Sequence, residues 1–378
     1  MRHSANDDSN KLTMSFLKSI FKTKDEPIFS YSDFWNWFER NAKTFHKVVK
    51  GQGNVEKDFF DKLSPKLNEL KDGFWYLTGM YDDTTAELVV TADGTIKNIV
   101  FVEELIQTAP KIDGWKFTAL KPALDIKDVS IEMAGFKFND ENLHFYANDH
   151  IHYPDEIDIT IVHDDYTEEN KSTITNGVYI FLDNYLGELD FAVNVDNLKV
   201  VGRDEAEKEL IAIEKLKDYL NWRQKEFTEK YEGVRHDTEN DEYSILEAEL
   251  ESGNALIAVV NTDLLQWDSK ASHPWILSVE IPYDGSNNNG MPEEETYKLL
   301  DEIEEQIMAE LKDFEGYLNI GRQTAKNVRE IYVACRDFRK PSKVLFEVQK
   351  KYAGQLEVSY DIYKDKYWQS FNRFNPVA

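Results

Sequence analysis

"GYLNIGRQTAKNVREIYVACRDF", residues 316–338, decides the fold. Two runs rich in β-branched and aromatic residues flank a short polar break. Asn327 suits a left-handed turn position there, so the stretch reads as a β-hairpin. Upstream, "SNNNGMPEEETYKLLDEIEEQIMAELKDF" (286–314) is a loop followed by a helix. Pro292 fits a first helical turn, and Glu293 to Glu295 favour the positive end of its dipole. Tyr297, Leu300, Ile303, Ile307, Leu311 and Phe314 recur at helical spacing and mark its buried side. "PWILSVEIPYDG" before it is a strand; after the hairpin come a helix, "KPSKVLFEVQKKY", and a last strand within "QLEVSYDIYKDKYW". The order from residue 274 is therefore β-α-β-β-α-β, the ferredoxin-like split βαβ arrangement. It predicts a four-stranded antiparallel sheet with helices 293–313 and 341–351 on one face.

The rest of the chain is α+β as well. Residues 30–50 carry Phe34, Trp35, Phe38, Phe45 and Val48 at helical spacing, with a possible cap at Ser32. A second helix follows, with Phe59, Leu63, Leu67 and Leu70 on one side. "FWYLTGMYDDTTAELVVTADG" (74–94) reads as a hairpin, and "TIKNIVFVEELIQTAP" (95–110) as a helix stopped by Pro110. Short strands follow, then a helix over 170–187, then one or two strands in "ELDFAVNVDNLKVVG" (188–202). The stripe Leu210, Ile213, Leu216, Leu220 and Phe227 predicts a long helix bridging the halves. The expected organisation is a flexible tail over 1–27, an N-terminal α+β domain over 28–203, a bridging helix over 204–232, and a ferredoxin-like domain over 233–378. Within the tail, Met14 opens a short basic amphipathic segment and is a candidate start.

Composition bounds the function. The chain has 378 residues, with 41% hydrophobic and 13% aromatic content, enough for packed cores. Acidic residues outnumber basic ones 71 to 44, and the net charge is −27. Such a balance argues against a nucleic-acid partner, which needs clustered positive charge. It favours basic protein surfaces. One cysteine, Cys335, permits no intramolecular disulfide and fits a reducing, cytoplasmic setting. No apolar run reaches the length of a membrane span.

Against that acidity stands a basic island. Residues 316–351 hold nine Lys and Arg against three Asp and Glu. The preceding acidic helix would lie beside it, so Arg322 and Arg329 read as internal counter-charge. Arg339, Lys340 and Lys343 open a helix at its positive end, where the dipole gives them no benefit, and read as exposed contacts for a partner. All five are candidate partner-binding residues.

Several of these stretches together resemble the family catalogued as domain of unknown function 695. The pattern comprises Gly290, Pro292 and Glu294, then Gly321, Arg322 and Thr324, then Arg329 and Glu330, and finally Asp365 and Trp368. Asn327 stands where the family usually has Gly. The resemblance covers about 240–376 and implies no established activity. It implies a shape like that of RraB-type protein inhibitors of ribonuclease E, and hence a bacterial, regulatory, protein-binding role.

Four histidines, His144, His150, His152 and His163, lie close in sequence. His150, His152 and His163 could ligate a zinc-like ion with Asp164 or Asp165, although their spacing matches no named metal motif. Phosphate loops, a nucleophile elbow and a dinucleotide fingerprint are all missing from the sequence. The expectation is a non-enzymatic protein-binding or regulatory module of inhibitor or adaptor type. It needs no cofactor, and a nuclease or another enzyme is among its potential partners. The alternatives are a metal-dependent hydrolase built on the histidine cluster and a purely structural module.

Overall fold

The computed structural model describes residues 27–375. The expected tail, with the basic segment from Met14, lies outside them but for Pro27. The described residues form two compact units: one holds 27–74 with 78–88 and 107–117, and the other holds 75–77, 89–106 and 118–375.

In the first unit, α1 (Tyr31–Lys47) starts at Ser30, whose Oγ accepts the Asp33 N–H at 3.2 Å and donates to the Asp33 carboxylate at 2.8 Å. The helix therefore starts two residues before the expected Ser32 cap. Its buried face is aromatic: Phe34, Phe38 and Phe45 pack with Phe59 and Trp115. The Trp115 indole donates to the Ala42 carbonyl at 3.0 Å, so its polar edge is satisfied inside the core. Gly51, at φ +90°, ends the helical path, and α2 (Asp61–Leu70) adds Leu63 and Leu67. Three strands that the division between the units cuts through, β1 (Trp75–Met80), β2 (Ala86–Thr91) and β3 (Trp115–Ala119), form a three-stranded sheet in that order.

The second unit contains α3 (Ile96–Gln107), the hairpin β4 (Ile131–Met133) and β5 (Phe136–Phe138), and a small mixed sheet. That sheet has the order β8-β7-β6-β9, with β6 Leu143–Asn148, β7 Asp158–His163, β8 Asn197–Gly202 and β9 Ile211–Ala212. Helix α4 (Lys171–Leu186) packs on it through Ile174, Val178, Phe181 and Leu182. Gly177 is obligatory in α4, because a Cβ there would sit 2.0 Å from the Phe138 ring.

Two sequence expectations change here. Residues Glu188–Asn194 form a helix, α5, rather than a strand. The buried Glu188 carboxylate holds that helix in place, accepting the backbone N–H groups of Ala92, Gly94 and Lys121 at 3.1 Å each. The long helix expected over 204–232 is confined to α6 (Leu216–Tyr231). Residues Ile211 and Ala212 pair instead with Phe145 and His144, so tertiary strand pairing overrides the helical stripe.

The C-terminal sheet has six strands. Its elements are β10 (Tyr243–Glu249), β11 (Ala255–Asn261), α7 (Thr262–Gln266), β12 (Trp275–Pro282), α8 (Glu294–Glu310), β13 (Tyr317–Ala325), β14 (Val328–Cys335), α9 (Arg339–Tyr352) and β15 (Ser359–Lys364). The order is β10-β11-β13-β14-β12-β15, and each neighbouring pair is antiparallel. From β12 onward this is the split βαβ order read from the sequence. The hairpin β10–β11 widens the expected four strands to six. Helices α8 and α9 lie together on one face, where the Tyr352 hydroxyl meets Glu302 at 2.9 Å and Gln306 at 3.0 Å. Trp368, Phe371, Phe374 and Leu264 cover the other face.

Behind that second cover lies His273, fully buried, with Nδ1 at 2.8 Å from the Ser272 hydroxyl. Burial, with Arg336 and Arg235 nearby, pulls its imidazole down to about 3 from an ordinary 6.5. The unfolded chain therefore binds a proton below about pH 6.5 that the folded chain refuses. Stability is full above that pH and falls as acid is added towards pH 3. His273→Gln is expected to flatten the stability profile between those limits by up to about 1.4 kcal/mol per pH unit. Urea denaturation at stepped pH measures this, and parallel profiles for variant and wild type would contradict it.

Candidate protein-binding face

The hairpin β13–β14 carries the sequence signature, and a bulge decides where its arginines point. The turn is Lys326–Asn327, both left-handed at φ +52° and +65°, as a two-residue hairpin turn requires. Simple alternation would put Arg322 on the side of Leu318 and Ile320, which is the Trp368 side. The strand register shifts between Asn319 and Gly321. That extra residue turns Arg322 and Thr324 over to the α8 side. Gly321 is required at the bulge: its φ is +143°, and a Cβ would lie 2.2 Å from the Val259 carbonyl oxygen on β11.

On the α8 side the arginines meet the acidic helix. Arg329, 1% exposed, donates through Nε to Thr324 Oγ1 at 2.7 Å and through Nη1 to Asp301 at 3.1 Å. Arg322 donates to Glu304 at 3.0 Å, and each arginine also lies within ion-pair reach of the other's carboxylate. The Tyr297 ring lies 5.2 Å from the Arg329 guanidinium. Two cations and two carboxylates thus form one closed network, as the counter-charge reading of these two residues expects.

The other family-pattern residues also have structural partners. The Gly290 carbonyl accepts the Tyr283 hydroxyl at 2.9 Å and the Asn327 N–H at 3.1 Å, which docks the 284–292 loop on the hairpin turn. The Pro292 carbonyl accepts from Asn288, and Glu294 pairs with Lys298. Gln323 donates to Glu330 at 2.7 Å. Asp365 caps the final turn by accepting the N–H groups of Gln369 and Ser370, and the Trp368 indole donates to the His273 carbonyl at 3.0 Å.

Arg339, Lys340 and Lys343 lie partly or fully exposed, and each is also held in an ion pair. Arg339 grips Glu103 with two parallel bonds of 2.7 and 2.8 Å and also pairs with Asp337. Lys343 pairs with Glu104 at 2.7 Å, and Lys340 pairs with Glu315. The reason is the placement of α3, whose acidic side chains Glu103 and Glu104 reach the start of α9. The Glu103 hydrogen bonds raise the Arg339 pKa above its ordinary value despite burial.

The histidines do not converge. His150 Nε2 contacts the Asp158 carboxylate at 2.6 Å, at the start of β7, while His163 ends the same strand. His163 is fully buried, with Nε2 on the Lys137 carbonyl at 2.9 Å and Nδ1 accepting the Asp165 N–H at 3.0 Å. Both of its ring nitrogens are occupied. His152 stands beside Tyr153. Among the described residues no group of three or more His, Cys, Asp or Glu is placed to hold a metal. Cys335 is buried, and burial pushes its thiol pKa far up, which removes it as a nucleophile.

The residues the sequence reading passed over lie on β10 and β11. Val259 is opposite Arg322, Ile257 opposite Thr324, and Ile245 opposite Val259, so all share the α8 side of the sheet. Helix α8 leaves this hairpin largely uncovered: Ile245 is 68% exposed, Tyr243 48% and Ile257 37%, next to Tyr297 at 42%. Glu247 and Glu249 follow in the same alternation and are exposed. Strand β10 is the edge of the sheet. The signal was the alternation Tyr243, Ile245, Glu247, Glu249, apolar and then acidic on one side of one strand.

Residues 243–374 match the model of a family described as "Family of unknown function (DUF695)". No curated protein and no solved structure matches the chain. Among the described residues no helix is long and apolar enough to cross a membrane.

Proposed function

We propose that the chain is a non-enzymatic, regulatory protein-binding module that captures a basic, extended segment of a partner protein along β10. The observation that carries this reading is the uncovered apolar face of the edge hairpin, Tyr243, Ile245 and Ile257, bordered along β10 by Glu247 and Glu249. An edge strand offers unpaired backbone groups to an added strand. Alternate side chains of that strand would bury the apolar face, and its basic residues would meet the carboxylates. A second copy of this chain fits poorly, because each copy carries a net charge of −27 and its β10 lacks the basic residues that would meet Glu247 and Glu249. A basic enzyme such as a nuclease, met in the cytoplasm, suits the chemistry. An inhibitor or adaptor role, of the kind RraB-type inhibitors play, follows the same logic.

Titration with a short labelled peptide alternating Val and Lys tests the face. Binding is expected to weaken with added salt and to drop at least about tenfold in Ile245→Lys, which places a cation in the apolar centre. The exposed position should leave the melting temperature unchanged. Equal binding by wild type and variant would contradict the proposal.

A further inference from the structure

The second unit contains a cleft of about 490 Å³ between the end of α6, the 232–235 segment, the start of α9 and the end of β15. Arg235, Arg336, Arg339, Lys364 and Lys366 line it, against Glu232 and Asp337. That is a cationic lining in a chain of net charge −27. Three of the cations are matched internally. Arg339 has Glu103 and Asp337, while Lys364 and Lys366 share the single buried carboxylate of Asp196 at 2.6 and 2.7 Å.

Arg336 and Arg235 are not matched. Among the described residues neither has a carboxylate partner. Arg336 donates only to the carbonyls of Val234 and Tyr231, and Arg235 only to that of Val234. The two guanidiniums are close enough that burial, and then Arg235, depress the Arg336 pKa. Burial also pulls the Lys366 ammonium down to about 8, with Lys364 adding to the effect. Arg336 is partly buried beside the exposed Arg235, so the two cations repel each other, and an anion bound between them would relieve that repulsion. Phe227, Trp275 and Val193 supply apolar walls beside them.

We infer that this cleft binds a phosphorylated small molecule, with the phosphate on Arg235 and Arg336 and an apolar or aromatic body against Phe227 and Trp275. Guanidinium groups match phosphate oxygens with paired hydrogen bonds, and a phosphate near its dianionic state balances two unmatched charges. The cleft shares no residue with the β10–β11 face, so the two proposals stand or fall separately.

The test is calorimetric titration of the full chain with phenyl phosphate and with inorganic phosphate, at constant ionic strength in chloride. Saturable binding is expected, tighter for phenyl phosphate than for inorganic phosphate or for benzoate. Arg235→Gln and Arg336→Gln should each weaken it at least about tenfold, since each removes a charged hydrogen-bond donor. Lys225→Gln, an exposed cation elsewhere on α6, should leave it intact. If Arg336→Gln fails to fold, the exposed Arg235→Gln decides alone. Unchanged affinity in Arg235→Gln, no saturable binding, or tighter binding of benzoate would each overturn the inference.

Discussion

Arg329→Ala is expected to destabilise the C-terminal sheet by about 3–5 kcal/mol, the usual result of removing one member of a buried ion pair. The side chain is 1% exposed and satisfies Thr324, Asp301 and, at longer range, Glu304. Its loss would leave a carboxylate pair in which only Arg322, more exposed, still supplies charge. Glu304 is itself buried, so water cannot readily replace the missing cation. Lysine should not rescue the site, because its single ammonium cannot reproduce the forked contact with Thr324 and Asp301. Arg322→Ala should cost less, since its guanidinium is partly solvated and Arg329 would remain. The midpoint of urea denaturation reads both effects. A small shift in Arg329→Ala, comparable with that of an exposed ion pair, would show that the network contributes little.

Gly321→Ala is the second large effect, on the order of 3 kcal/mol, combining backbone strain with a steric clash. At φ +143° an L-residue is strained, and the new Cβ would press on the Val259 carbonyl and the Val260 Cα. Relief requires β11 to move away from β13. That movement would loosen the edge hairpin and the bulge that aims Arg322 and Thr324. The variant should therefore lose stability together with peptide binding on β10. Gly253→Ala provides the contrast: it is also left-handed, at φ +81°, but its Cβ would meet nothing within 4 Å. Its penalty should be limited to backbone strain, about 1 kcal/mol. Equal losses in the two variants would remove the packing argument.

The split βαβ core was legible because each of its elements carries its own period. The α8 stripe from Leu300 to Ile307, the alternation of β12 and the turn at Asn327 needed no tertiary information. The pairing of Arg322 with the acidic helix was also expected, although simple alternation along β13 would turn its side chain the other way. A bulge at Gly321 reverses the side of the sheet, and a single-residue insertion leaves no trace in hydrophobic periodicity. The destiny of Arg339, Lys340 and Lys343 was not legible either. Glu103 and Glu104, the partners of Arg339 and Lys343, come from a helix more than two hundred residues earlier, a proximity that only the folded chain creates. Local charge counting shows that these three face solvent but not that carboxylates distant in sequence pair with two of them. The helix expected over 204–232 is shortened to Leu216–Tyr231 for a related reason. Ile211 and Ala212 have helical spacing in sequence but a strand partner in space. The binding face was overlooked because exposed apolar residues on an edge strand look, in sequence, like core residues.

Amide hydrogen exchange over Tyr243–Glu249, with and without a saturating basic peptide, tests the central claim most directly. Edge-strand amides that point away from β11 exchange readily until another strand accepts them. Added pairing is predicted to slow exchange at alternate residues of β10, with little change on β15 at the opposite edge of the sheet. Binding without protection of β10, or with protection confined to another part of the chain, would contradict capture at this edge.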